Sequence, residues 1–585
     1  MTRAVALAVV LTATAAAPAA DEALQPVLDL YKSGKLFEKS EYKAVRTAAA
    51  KVFEARNADT IKDAFGADYE ALTAWLEKQK DLKEEFFSAI NTQRDDVRRV
   101  LEIFHDLWNE DAAAVAKYPN LAIAVSVVWD NDKGVYDYRG HQRRTKSHLP
   151  DGYAKYGPKD EFKYHVAHAK AVQGKEPLNR LEVLPWEFQV YIVDHRTPVN
   201  ERDWAIKNYL TKRPMIGKVY SEIEYDHLML KTGSKECKLN DHDYTLADIK
   251  KYGGVCAMQA DFAARVGKSL EVPAAYVGGQ SQDLEHHAWV MWVEVKAATA
   301  TTVNFKLESW GRYRYDNYYT GELTDPQTGE EILDRDMERR LSAAATDRVG
   351  KRQADLAMTY FHDVAGAINL EPKKKVQYCL STLQLSTYNE AAWLELARMA
   401  RQAEIPAESK MFVLEYTGWL VQRFTQYPDF SWKVAGDLLT IQKDTLQRNK
   451  FYEMLAVVYE KASRPDLACE ARLKWAEFLG EEKKWSIAAT GLKQTIIKFP
   501  DEGRYVPKML EKLKECCGQY NGGKEYLAKA YVELMKKVNP KRGDEVTKYF
   551  QQVSAEALAF LKEAKKTKEA AEVEQIRRSV GLTGS

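Results

Sequence analysis

Cysteine is scarce in this chain of 585 residues: there are six, at 237, 256, 379, 469, 516 and 517. Their spacings hold no CxxC pair and no Cys/His zinc pattern, so neither a disulfide framework nor a zinc knot is expected to organise the fold. A surplus of one charge is also missing. Against 86 Lys and Arg stand 85 Asp and Glu, a formal net charge of +1. Basic runs are short (Arg143-Arg144, Lys373-Lys374-Lys375), and polyanion binders carry a basic excess, which argues against a nucleic-acid partner. No run is long and apolar enough to span a bilayer. What is present is a folded composition, 45% hydrophobic and 29% charged with 13 Trp, 32 Tyr and 19 Phe, too aromatic for long disordered tracts. The length exceeds what one core can bury and predicts three or four domains.

The first residues read as an export signal. Arg3 supplies a positive charge, Ala4 to Ala17 form an uncharged, mostly apolar run, and small residues lead into Asp21-Glu22. This layout predicts a signal peptide over residues 1–20, cleaved after Ala19 or Ala20, and an exported (periplasmic or secreted) mature protein.

From Asp21 to about Tyr118 the chain reads as helix, with apolar residues at helical spacing through Phe86, Ile90, Val97, Leu101, Phe104 and Trp108. Leu121 to Trp129, an apolar β-branched run before Asn131-Asp132-Lys133-Gly134, predicts a strand, as does Phe188 to Val193. Loops with a ragged strand at Phe162 to Ala167 are expected between them. The histidines there (141, 148, 165 and 168) show no helical i, i+4 pairing with an acid, so no metal or other cofactor is expected. A helix follows Pro198, then a helical turn at Thr245 to Ile249. A further helix is expected at about Ala257 to Lys268, followed by strands at Ala274 to Val277, His287 to Val295 and Thr302 to Leu307. Beyond about Leu333 the chain reads as an αα-hairpin array, loosely tetratricopeptide-like. Pro428-Asp429, Pro465-Asp466 and Pro500-Asp501 recur there as stop signals. Such arrays bind partners or brace a neighbouring domain.

One constellation carries chemistry. A cysteine attacks carbonyls as a thiolate, so it needs a lowered pKa and a base. Cys256 is placed to start a helix, where unpaired N–H groups favour negative charge. Gly253-Gly254 allow the tight backbone approach before it. An imidazole on a nearby strand, His287, can take the proton. His286 is its neighbour, but adjacent strand side chains point to opposite faces, and the Ala-Trp-Val that follows selects His287. Gly254-Val255-Cys256-Ala257, Val272-Pro273-Ala274-Ala275 through Gly278-Gly279, and His287-Ala288-Trp289-Val290 resemble, in order, the core of the transglutaminase-like superfamily. The resemblance covers about residues 184–323. Upstream, Thr197-Pro198 to Ile206 and Glu224-Tyr225-Asp226 are similar to the family's leading helix and Tyr-Asp segment.

The resemblance implies an α+β fold: a papain/transglutaminase-like domain over 119–330, flanked by a helical region at 21–118 and a helical-repeat domain at 331–585. It implies Cys256 as nucleophile and His287 as general base. Glu308 stands where the family has an Asp orienting the histidine, with Asp316 as fallback. Tyr225 is the oxyanion donor, with Gln189 and Tyr220 behind it. Glu271 stands where the family has a glycine. The expected activity is thiol-dependent amide hydrolysis or acyl transfer on a peptide or protein substrate. Hydrolysis is preferred because no Asp-x-Asp-x-Asp-Gly calcium pattern appears. The rival is a non-catalytic peptide-binding scaffold that uses the repeats. The aromatic cluster of Trp310, Tyr313, Tyr315, Tyr318 and Tyr319 reads chiefly as domain-junction packing, with a cleft lining as the alternative.

Overall fold

The computed structural model describes residues 18–173, 181–282, 285–299, 301–311 and 320–582. Six helices open it: α1 (Pro18–Lys32), α2 (Tyr42–Arg56), α3 (Ala58–Phe65), α4 (Tyr69–Lys78), α5 (Lys80–Ala89) and α6 (Val97–Lys117). The helical spacing read from Phe86 to Trp108 is what buries Phe86, Leu101 and Phe104 in one core. Asp96 starts α6 by accepting the Arg99 N–H at 3.1 Å, which satisfies one of the donors a helix start leaves open.

Three strand or loop expectations are corrected. Residues 121–128 lie in α7 (Pro119–Val128), which starts on a proline. After α8 (Arg139–Thr145), residues 162–167 lie in α9 (Pro158–Gln173), and 188–193 in α10 (Trp186–Val193). In α7 every residue from Leu121 to Val128 is buried, and in α10 every residue from Glu187 to Val193. Each buried aliphatic side chain contributes about 1.5–3 kcal/mol. A helix covered on all sides therefore loses the polar stripe that would distinguish it from a core strand.

The chain continues through α11 (Val199–Tyr209), α12 (His227–Lys231), α13 (Leu246–Tyr252) and α14 (Cys256–Ser269). A five-stranded antiparallel sheet follows, in the order β3-β2-β1-β4-β5. Its strands are β1 (Ala274–Gln280), β2 (His286–Ala298), β3 (Val303–Trp310), β4 (Gly321–Thr324) and β5 (Glu331–Leu333). The mixed helix-and-sheet class is thus α+β. Alternation along the strands divides the two faces. Ala274, Ala288, Val290 and Trp292 share a core with Ala257, Ala260, Ala263 and Ala264 of α14. Ala275, Val277, Trp289, Met291 and Val293 face the core that contains α7 and α10. Small residues on α14 let it approach the sheet: a Cβ on Gly267 would lie 3.1 Å from that of Ala274.

From Asp334 to Ser579 the chain is a succession of helices, interrupted by one short hairpin at 541–546. The Pro-Asp pairs are not uniformly stops. Pro428 and Pro465 stand at the first positions of the helices Pro428–Leu438 and Pro465–Glu481, where the missing N–H costs nothing. Packing also crosses the sequence divisions. Leu24, Val27, Leu28, Val45 and Val52 of α1 and α2 share a core with Leu356, Tyr378, Trp393 and Val413 of the helical array. No helix among the described residues is long and apolar enough to cross a membrane.

Candidate functional site

Cys256 is the first residue of α14. The segment before it turns sharply because Gly253 takes φ = 84°, and a Cβ there would lie 2.4 Å from the Glu224 carbonyl oxygen. A Cβ on Gly254 would lie 2.5 Å from Met258 Cβ. Gly253 is therefore required by conformation as well as by space, and Gly254 by space. This close approach lets Gly254 donate to the Glu224 carbonyl (3.0 Å) and accept from the Asp226 N–H (3.1 Å), forming a parallel bridge with Tyr225. Tyr225, named from the sequence as oxyanion donor, is thus held half-buried beside the start of α14.

All six cysteines are free thiols, and Cys256 alone is not buried. Burial of its surroundings pushes the thiol above its ordinary value, outweighing the Ala288 N–H, the Arg144 charge and the N–H groups of Ala257 and Cys256, all of which act downward.

His287 is the residue before Ala288 on β2 and is 6% exposed. The described β2–β3 pairing ends at Val290 opposite Trp310, so His287 lies past the last paired position. Alternation puts its side chain on the Trp289 side of the strand, while the backbone N–H of the next residue, Ala288, faces the Cys256 thiol. The His287 Nε2 sits 2.6 Å from the carbonyl oxygen of Gly311. A carbonyl oxygen only accepts, so the neutral ring carries its proton on Nε2 and its lone pair on Nδ1.

Glu308 is not brought to the imidazole. It pairs across the sheet with Trp292, five residues along β2 from His287, about 17 Å at strand rise, and its carboxylate is bound to Lys306. Where the resemblance expects a carboxylate, the described partner of His287 is the Gly311 carbonyl. Asp316, Tyr313, Tyr315, Tyr318 and Tyr319 lie outside the described residues. Trp310 is part-exposed and donates its indole N–H to Ser221 Oγ at 2.7 Å. Gln189 is completely buried and donates to the Leu181 and Leu184 carbonyls (3.0 and 2.7 Å), which holds the loop before α10. Tyr220 donates to the Ala288 carbonyl at 3.1 Å, and its ring fills the space a Cβ on Gly311 would need.

Residues not singled out from the sequence also surround the thiol. Tyr276 of β1 is close enough that the Cys256 charge, after burial, raises its hydroxyl pKa. Tyr136 stacks on Tyr276 with centroids 5.8 Å apart and donates to Asp261 at 2.9 Å. The His141 ring lies 4.9 Å from Tyr276. Tyr276 is two residues after Ala274 on an alternating strand, and that spacing already assigns it to the α14 face.

The histidine at 165 is engaged by carboxylates. Because α9 is a helix, Glu161 and His165 are i, i+4 partners at 2.7 Å, correcting the expectation that these histidines lack an acidic partner at helical spacing. Burial alone would lower the His165 pKa, but the Glu161 and Glu271 carboxylates outweigh it and raise it. Glu161 also binds Arg202, and Arg265 of α14 binds Glu201 at 2.8 Å. Among the described residues no group of three His, Cys, Asp or Glu is arranged to hold a metal. Comparison with family models, with curated proteins and with solved structures returned no match.

Proposed function

We propose that this chain is an exported thiol-dependent amide hydrolase or acyltransferase built on a transglutaminase/papain-like core. One observation carries the reading: the least buried thiol in the chain starts a helix beside the backbone N–H of the residue that follows His287. Glu271 adds support. It takes φ = 57°, the left-handed conformation a glycine would adopt where the resemblance has one. The leader at residues 1–20, most of it outside the described residues, motivates the exported location.

On this reading Cys256 Sγ attacks the amide carbonyl carbon as its proton passes to His287 Nδ1. The Gly311 carbonyl holds the opposite ring nitrogen and fixes the tautomer. The Cys256 N–H and Tyr225 stabilise the oxyanion. The imidazolium then protonates the leaving amine, leaving a thioester on Cys256. Water or a second amine, deprotonated by His287, resolves it. Cys256→Ala abolishes amide turnover on this account, and unchanged turnover refutes it. Ammonia release from a glutamine peptide, with and without added primary amine, separates hydrolysis from transfer.

The second reading, a peptide-binding scaffold, is favoured by two observations: burial raises the thiol, and Glu308 is engaged by Lys306. A folded protein that binds peptide without turnover supports the scaffold.

A further inference from the structure

The helical array touches the hairpin that carries His287. Between β1 and β2 the turn is closed by the Ser281 N–H donating to the Glu285 carbonyl at 2.9 Å. The next carbonyl, that of Gln282, accepts the N–H of Gly503 at 3.0 Å. Gly503 lies 247 residues beyond Cys256, between the helices Trp485–Lys498 and Val506–Cys517.

The loop that offers this N–H is braced from several sides. Tyr549 donates its hydroxyl to the Pro500 carbonyl at 2.6 Å. Asp501 accepts the Asn539 N–H at 2.7 Å. Glu502 is 1% exposed and accepts from Arg504 at 3.1 Å. A Cβ on Gly503 would lie 2.9 Å from the Gln282 oxygen and 3.0 Å from the Tyr549 ring, so this close approach requires the absence of a side chain.

We propose that Gly503 and Tyr549 are positioning residues for the candidate site: the helical array clamps the β1–β2 turn and so sets where His287 stands relative to Cys256. His287 is the second residue of β2, the strand that leaves this turn, so a contact that holds the turn from outside the sheet also holds the start of that strand. This inference rests on the thiol reading for its activity arm. It gives the array a role in the chemistry, whatever else the array binds.

The test uses the full-length chain with Gly503→Ala and, because that variant alone could disturb the loop, Tyr549→Phe, which removes the hydroxyl and keeps the ring. Hydrogen exchange over residues 278–290 is measured beside kcat and KM for a glutamine-peptide amide and the thermal melt. Expected for Gly503→Ala are faster exchange in the turn, kcat lower by about tenfold or more with KM nearly constant, and a preserved melt. Tyr549→Phe moves exchange and kcat in the same direction by less. Unchanged exchange in both folded variants overturns the clamp. Faster exchange with unchanged kcat overturns its positioning role. A wild type with no Cys256-dependent turnover fails the thiol reading, while the exchange arm still decides whether the clamp exists.

Discussion

Two polar regions lie at different ends of α14, one at its first residue, Cys256, and one around Arg265 in its C-terminal half, and they are built differently. Around Arg202 and Arg265 the charges are numerous and matched: Arg202 with Glu161, Arg265 with Glu201 and Asp261, His165 between Glu161 and Glu271. At Cys256 there is a half-buried thiol beside the Ala288 N–H and those of its own helix start, and the residue before Ala288 carries an imidazole held by a carbonyl. The first region locks α9, α11 and α14 together, and its members are committed to one another. The second surrounds a half-buried thiol with backbone N–H groups instead of matched charges, and that contrast separates the two regions by chemistry.

The comparison can be broken most severely at the imidazole. His287→Gln keeps a donor toward Gly311 but removes the base, and kcat for amide turnover is expected to fall by about 10²–10⁴-fold, with the melt nearly unchanged. A comparable loss in the matched network should appear in stability instead. Arg265→Met leaves Glu201 and Asp261 buried without their cation and should cost about 3–5 kcal/mol in denaturant unfolding. Together the two variants sort the regions by readout.

Asp95 gives a smaller and pH-dependent effect. It accepts from the Asn91 N–H at 2.8 Å and from Gln327 at 2.9 Å, yet Oδ1 is buried with no hydrogen-bond partner. Burial pushes its pKa to about 7, with Asp130 and Asp325 adding to the rise. A carboxyl whose folded pKa is raised favours folding below its ordinary pKa, and that contribution is lost as pH rises through the folded value. Asp95→Asn should therefore stabilise the protein at pH 8 relative to wild type, by about 1–3 kcal/mol, and much less at pH 4. Equal effects at both pH values would contradict the assignment. The smallest effect is expected at Glu308. Glu308→Gln removes only a partly exposed ion pair with Lys306 and should change turnover by less than about twofold. A hundredfold loss would return Glu308 to the site.

The start of α14, β1, β2 and the C-terminal helices were legible in the sequence because short-range signals carry them: a double glycine, β-branched runs and proline spacing. Helices α7 and α10 were not. Their apolar runs have no polar face, and burial on all sides gives helix and strand the same composition. The mismatch at Glu308 has a different cause. The pairing register sets Glu308 opposite Trp292, five residues along β2 from His287, and that register is fixed by the hairpin and the two packed faces, not by the identity of the acid. Position along β3 therefore could not be counted from the sequence. Nor could the Gly311 carbonyl be found that way, since a backbone acceptor leaves no trace in residue identity.

The central claim is that Cys256 forms a covalent acyl intermediate. Intact-protein mass spectrometry after brief exposure to an activated acyl ester, followed by peptide mapping, reads this directly. The account predicts a single acyl adduct on Cys256 that decays with time in wild type and persists in His287→Gln. An adduct on another residue, or none on Cys256 in the folded wild type, would contradict it.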